Sequence, residues 1–210
     1  MDIGAPKRII EIEPAVLPVP EPAREEPAPA IEKSAEPIVA WRSWALTGRH
    51  DGTRLLLRPV AGRRSPWRPR ELATATCKRG GVFHEAPAID CTCGLHASQT
   101  LDILRRTKCP AVLGRVALWG RVIEHELGYR ARFGYPQRFR LICQFCFWQK
   151  GPLGSAPTVV ACYPRDELVP LCPLHLEAAH ANGMPPKRLL AADVVDQRLR
   201  EAYAVDPLAI

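Results

Sequence analysis

Alternating apolar and polar positions in the middle of the chain predict two paired strands. Val112, Val116, Leu118 and Val122 all fall at even positions of one run and would therefore share one face of a strand. In the next run Tyr129, Ala131, Phe133 and Tyr135 alternate with Arg130, Arg132 and Gly134. The pattern predicts a hairpin joined by residues 124–128, with the aromatic side chains in the core and the arginines outside.

Shorter patterns complete a predicted β-rich domain over residues 41–140. A strand-like run opens at Trp41, and a second contains Leu55–Leu57, with a turn over residues 48–52 between them. Ser98 is a helix N-cap candidate, and the apolar spacing after it predicts one short helix that Pro110 terminates.

The remaining residues, 141–210, predict a second unit with more helix. A strand is expected over residues 158–163, and Cys172 begins a helix that Asn182-Gly183 ends. A last helix is expected over residues 187–203, where leucines and valines recur at helical spacing. The fold class predicted for the whole chain is therefore α+β.

Residues 1–40 differ from the rest in composition. They hold eight of the 22 prolines and no aromatic residue that could anchor a core. We expect a disordered, extended Pro/Glu-rich tail here, which leaves residues 41–140 and 141–210 as the two folded units.

The charge is distributed unevenly along the chain. The net charge of +7 combines −4 over residues 1–40 with +11 over residues 41–210. A positive field of this kind favours a polyanionic partner such as nucleic acid, although arginine-rich usage also fits a GC-rich genome. The candidate contacts are the arginines of one loop and of the predicted hairpin: Arg63, Arg64, Arg68, Arg70, Arg121, Arg130 and Arg132. Trp67 and Trp148 are candidates for stacking on bases.

The sequence predicts neither a membrane protein nor a secreted one. No apolar run approaches the roughly 18 residues that a membrane-spanning helix needs. The first 20 residues lack a basic start followed by an apolar stretch, so we expect no secretory signal and a cytoplasmic location. Eight cysteines in such a chain indicate metal ligands or free thiols rather than disulfides.

One cysteine pattern has the spacing of a zinc site. Cys143 and Cys146 form one pair of ligands two residues apart, and Cys172 and His175 form the other (together, the Cys143 cluster). Pro173 suits the first position of a helix, whose dipole would favour the Cys172 thiolate. Cys162 is an alternative fourth ligand, although its position on a strand favours a core thiol.

This pattern resembles the treble-clef zinc finger over residues 141–183. The resemblance implies a knuckle, a β-hairpin and a helix that supplies the last two ligands, although Phe147 stands where such knuckles commonly carry glycine. Some treble-clef proteins are HNH nucleases, but no histidine lies between Cys146 and Cys172 to act as the base. A site with four protein ligands is structural, so we expect no catalysis there.

A second cluster of candidate ligands consists of Cys77, His84, Cys91 and Cys93 (the Cys77 cluster). Its spacing is less typical of zinc, but a second ion would order a stretch that has little regular pattern. The alternatives are a redox-active Cys91/Cys93 pair and a cysteine nucleophile with His84 as its base. Cys109 is expected to be a core thiol.

The segment 91–97, with 119–122 and 128–131, resembles uncharacterised actinobacterial proteins over residues 41–140. This resemblance implies no particular activity.

Three functions remain open at this point. The first is a structural-zinc protein that binds nucleic acid, and the second is a zinc-stabilised adaptor that binds another protein. The third is an enzyme that uses Glu124, His125 and Glu126 as acid and base, although polar residues are expected in a hairpin turn anyway. No small-molecule substrate is indicated, and we expect a protein that is not an enzyme.

Overall fold

The computed structural model describes residues 3–13, 32–34, 36–60, 65–77, 84–150 and 154–209. They form a β-rich domain with few helices, which is compatible with the α+β class. The strands are β1 (Pro6–Ile12), β2 (Glu32–Ser34), β3 (Ile38–Thr47), β4 (Leu56–Pro59), β5 (Ala73–Thr74), β6 (Leu95–Ser98), β7 (Val112–His125), β8 (Gly128–Leu141), β9 (Val159–Tyr163), β10 (Glu167–Leu171), β11 (Arg188–Ala191) and β12 (Asp206–Pro207). The α-helices are α1 (Gln144–Lys150), α2 (Pro173–Ala181) and α3 (Ala192–Tyr203).

The predicted hairpin is present and is the longest pairing in the sheet. β7 and β8 pair antiparallel from Val112↔Leu141 to Glu124↔Tyr129, with two register shifts along the way. β3 pairs with both β7 and β6, and β6 pairs with β8. These four strands therefore form a closed ring of hydrogen-bonded neighbours, and apolar side chains fill its interior.

The main core lies between this ring and α3. Trp44 and Phe139 are fully buried, and the ring of Phe139 meets that of Tyr203 edge to face. The Tyr203 hydroxyl accepts a hydrogen bond from the backbone N–H of Leu57 (3.0 Å) and donates one to the carbonyl of Trp67. Because a buried phenol needs partners for its hydroxyl, these two bonds fix α3 over the ring.

The strands after residue 141 continue the same sheet. β10 pairs with β3 on one side and with β9 on the other, and β11 adds to β9 at the edge. Val160, Leu168 and Val195 belong to the same buried cluster as Trp44. Strands on both sides of the boundary predicted at residue 141 therefore belong to one sheet and share the main core, while the residues around Cys143 form a small buried cluster of their own.

The prediction of a disordered tail over residues 1–40 is wrong for the segments that form β1, β2 and the start of β3. β1 pairs antiparallel with β7 from Pro6 to Ile12, and Ile10 and Ile12 are buried. Two ion pairs hold its polar face, Arg8–Glu124 at 2.6 Å and Glu11–Arg121 at 3.1 Å. The apolar alternation of this short segment outweighs the proline content of its surroundings. Residues 1–2, 14–31 and 35 lie outside the described part of the chain.

Two predicted helices are shorter than expected. Residues 188–191 of the last one form β11, because their backbone groups pair with the exposed edge of β9, and α3 begins at Ala192. Ser98 belongs to β6 rather than to a helix N-cap, and only a short 3₁₀ helix follows it, Asp102–Arg106. Cys109, expected in the core, is exposed.

Within the described residues, no helix combines the length and apolar character that crossing a membrane requires.

Candidate metal centres

Helix and strand ends position the four residues of the Cys143 cluster. Cys143 lies just after β8, and Cys146 lies in the first turn of α1. Cys172 is the N-cap of α2, which Pro173 opens, and His175 lies in the first turn of that helix. The β9–β10 hairpin brings the two halves together, so residues distant in sequence converge.

The distances between the ligand atoms fit one tetrahedral ion. His175 Nδ1 lies 3.5 Å from Cys143 Sγ, 3.5 Å from Cys146 Sγ and 3.1 Å from Cys172 Sγ. Cys146 Sγ and Cys172 Sγ are 3.6 Å apart. A tetrahedral zinc ion with ordinary bond lengths separates two sulfurs by about 3.8 Å and a sulfur from a nitrogen by about 3.6 Å. Within the described residues, Cys162 is not part of the cluster and lies in the main core.

Burial makes this cluster unfavourable for free thiolates. The three cysteines are at most 5% exposed, and burial raises the pKa of Cys143 to about 11. At Cys172 burial also raises the pKa, but the backbone N–H of His175 and the neighbouring thiols together lower it. A divalent cation at the centre would reverse the effect of burial, since it stabilises coordinated thiolates directly.

The local structure explains why Phe147 stands where knuckles of this type commonly carry glycine. The Phe147 N–H bonds the Cys143 carbonyl, so the chain enters α1 directly. The Phe147 side chain is 1% exposed and packs with Leu104 and Leu113 under the outer face of the sheet. Phe145, which the sequence did not single out, stacks on the His175 ring at 5.0 Å and 18°.

The Cys77 cluster also gathers its four predicted residues, although no helix or strand carries them. Cys77 Sγ lies 3.6 Å from Cys91 Sγ, and His84 Nε2 lies 3.2 Å from Cys93 Sγ. All four ligand atoms lie within 4.8 Å of one another, close enough for one ion to be held between them. Cys91 and Cys93 are buried, whereas Cys77 and His84 are only half-buried.

Two adjacent thiols in this cluster differ in acidity. The backbone N–H of Cys93 contributes most to lowering the pKa of Cys91 to about 7. Burial raises the pKa of Cys93. Of these two thiols, Cys91 therefore more readily supplies a thiolate to a metal ion.

Arg130 fastens the Cys77 cluster to the sheet, which corrects its predicted place on the outside. It is 4% exposed, and its guanidinium donates to the carbonyls of Ala88 (3.1 Å), Cys91 and Cys93 (3.1 Å). β8 pairs with β6 and lies beneath this loop, so the arginine side chain points into the protein. The sequence pattern correctly placed Arg130 on the face of β8 opposite to Tyr129 and Ala131. It could not show that the loop of the Cys77 cluster covers that face.

His125 completes this network and does not lie in a solvated turn. It is 5% exposed; its Nε2 accepts from Arg130 Nε at 2.8 Å, and its Nδ1 lies 2.9 Å from the Gly4 carbonyl. Because Nε2 accepts a hydrogen bond, the proton belongs on Nδ1. Both ring nitrogens therefore hold the N-terminal segment and Arg130 in place.

The other arginines predicted to contact nucleic acid are largely engaged within the chain. Arg121 pairs with Glu11 at 3.1 Å, Arg132 with Glu85 at 3.2 Å and Arg68 with Glu71 at 3.7 Å. At Arg70, within the described residues, the engaged group is the backbone N–H, which donates to the Tyr135 hydroxyl, and not the guanidinium. Arg63 and Arg64 lie outside the described residues.

The two tryptophans named for stacking differ in exposure. Trp67 is buried, and the Arg42 guanidinium lies 4.7 Å from its ring centre. Trp148 is 38% exposed, and its indole N–H donates to the Thr107 carbonyl. Only Trp148 presents ring surface of a useful size to a partner.

No protein-family model, curated protein or solved structure matches this chain. The treble-clef and actinobacterial resemblances therefore gain no support from comparison, and the functional conclusions rest on the two clusters themselves.

Proposed function

We propose that the chain is a structural-zinc protein that holds one Zn²⁺ at each cluster and binds nucleic acid. The convergence of four sulfur and nitrogen atoms at the Cys143 cluster, at tetrahedral spacing, carries the zinc assignment. Thiolate and imidazole ligands suit zinc, and four protein ligands leave no coordination position for water or substrate. Each metal ion would link separate helices, strands or loops of the chain and would not take part in catalysis.

The arrangement around the Cys143 cluster supports a treble-clef-like unit over residues 141–183. A Cys-x-x-Cys pair, the β9–β10 hairpin and the start of α2 follow one another in that order. The first pair lies at the start of a helix rather than in a glycine turn, which is where this unit differs from the usual pattern.

Metal analysis of the purified chain tests the zinc assignment. We expect two zinc ions per chain by mass spectrometry, and one in either Cys143→Ser or Cys91→Ser. Cys162→Ser and Cys109→Ser are matched controls, because one removes a buried thiol and the other an exposed thiol outside both clusters. A folded wild-type chain without bound metal would contradict the proposal.

The excess positive charge supports nucleic acid as the partner. Residues 41–210 carry a net charge of +11, and nucleic acid is the common cellular polyanion that such a field attracts. We expect a labelled oligonucleotide to bind with an affinity that falls steeply as the salt concentration rises. Absence of binding at low salt, or binding that ignores salt, would reject this role.

One observation favours the alternative, a protein-binding adaptor. Four of the nine large hydrophobic side chains that are exposed in the described part of the chain lie close together in sequence: Leu174, Met184, Leu189 and Val194. Leu189 lies in β11, an edge strand of the sheet, and an exposed edge is a common site for pairing with another chain. A partner that stays bound to the protein after nuclease treatment would support this role over nucleic-acid binding.

A further inference from the structure

Three arginines lie side by side on the outer face of the sheet, and none of them was singled out by the sequence patterns. Arg115 in β7 lies opposite Arg138 in β8, and Arg140 follows two residues later. Phe139, between the last two, is fully buried in the main core, so its neighbours point to the opposite face. Arg115, Arg138 and Arg140 are called the outer arginine row below.

The row has no negative counterpart within the described residues. No carboxylate there forms an ion pair with any of its three members, and Asp206, which pairs in register with Arg138 on β12, is not within ion-pair distance. Like charges directly opposite each other destabilise a sheet. The Arg115 guanidinium donates to the Val39 carbonyl at 2.9 Å, which leaves its charge without an acidic counterpart, so an anionic ligand would compensate the charge of the row.

Aromatic surface accompanies this charge. Trp41 lies opposite Arg115 on β3, and the Arg115 guanidinium stands 4.7 Å from the centre of its ring. Trp41 packs against the buried cluster that contains Phe147. Trp148, which follows Phe147 in the chain, is exposed. Arg105 donates to the carbonyls of Trp148 and Gln149, which ties this end of α1 to the same side of the molecule.

We propose that the outer arginine row contacts the phosphates of a single-stranded nucleic acid, with Trp148 available to stack on a base. The inference rests on the proposed nucleic-acid function and names its surface. A sheet face that combines arginines with aromatic rings suits unpaired strands, whose bases are free to stack. The Cys143 cluster borders this surface through α1, so its metal would hold Trp148 beside the row.

Fluorescence anisotropy with the full-length, metal-loaded chain tests the assignment. The probe is a labelled oligothymidylate of about 15 nucleotides, near the upper site size of small single-strand-binding folds. The variant is Arg138→Gln with Arg140→Gln, since neither guanidinium makes a hydrogen bond or ion pair in the described part of the chain. The matched control is Arg58→Gln with Arg188→Gln, which removes the same charge from exposed positions on β4 and β11.

We expect the row variant to lower the slope of log affinity against log salt by about 1.4, or about 0.7 for each phosphate that an arginine no longer neutralises. The control should leave the slope unchanged, and both variants should keep two metal ions and a wild-type circular dichroism spectrum. Equal decreases of the slope in the two variants, or an unchanged slope in the row variant, would overturn the assignment to this face. A wild-type chain that does not bind at all would instead reject the proposed function.

Duplex DNA of equal length and anionic lipid vesicles serve as competitors. Stronger competition by either than by the single strand would also overturn the choice of partner.

Discussion

The two candidate metal centres use the same ligand types but are built in opposite ways. At the Cys143 cluster, the ends of β8 and β10 and the first turns of α1 and α2 carry the ligands. At the Cys77 cluster the ligands lie on irregular chain, and the buried Arg130 anchors their backbone carbonyls. In the first case secondary structure brings the ligands together, whereas in the second the Arg130 guanidinium does so without secondary structure, and a metal ion would add to it.

The difference predicts how far the loss of each metal spreads. The β9–β10 hairpin beside the Cys143 cluster also contributes Val160 and Leu168 to the main core. Within the described residues, the apolar neighbours of the Cys77 cluster are a few alanines, one of which, Ala75, also packs against the main core. Removing the first ion should therefore disturb the whole protein, and removing the second should disturb mainly a loop.

The largest effect is expected for Cys172→Ala. It removes the ligand that also begins α2, and we expect a loss of about 5 kcal/mol in the free energy of unfolding, since structural zinc contributes much of the folding energy of such units. Urea denaturation followed by circular dichroism measures this loss. The Cys162→Ala variant separates the removal of a ligand from the removal of a buried thiol, and equal losses of stability in the two would contradict the comparison.

Cys91→Ala should have a smaller and more local effect. We expect a loss of about 3 kcal/mol in the free energy of unfolding, because the loop loses its metal while β7 and β8 keep their pairing. Hydrogen exchange should speed up over residues 84–94 and remain slow in β7. Faster exchange in β9 and α3 as well would show that the two centres are not independent.

Arg130→Gln tests the anchor of the Cys77 cluster. The shorter amide cannot reach every carbonyl that the guanidinium bonds, so we expect a loss of about 2 kcal/mol from buried, unsatisfied acceptors. Metal release to a chelator should become faster at this cluster only, and the release phase that Cys91→Ser abolishes identifies the cluster. An unchanged rate of metal release would show that Arg130 does not hold the ligands of the Cys77 cluster in place.

Phe145→Leu should give the smallest effect. The substitution keeps an apolar side chain but removes the stack on His175, so we expect a loss of about 1 kcal/mol. Cobalt substituted for zinc reports on the geometry, and its absorption bands should shift while the metal content stays the same. Bands identical to those of the wild type would show that the stack does not orient the histidine.

The regular elements were predictable wherever the pattern was long. The β7–β8 hairpin and α2 followed directly from alternation and from Pro173 with its downstream Asn-Gly. β1 and β11 were missed because each depends on a neighbouring edge that the local sequence does not contain. The outer arginine row was missed for a similar reason, since its members become neighbours only through the register of β7 and β8.

The sequence by itself determined the two sets of candidate ligands, because cysteines and histidines at short spacings can be recognised as metal ligands without knowledge of the fold. It also determined the positive net charge of residues 41–210. Only the tertiary structure decided which arginine side chains are exposed and free of ion pairs with carboxylates. Burial, ion pairs and strand register all depend on residues far away along the chain. Arg130 and Arg138 share one strand, yet one secures a loop from the inside and the other faces outward.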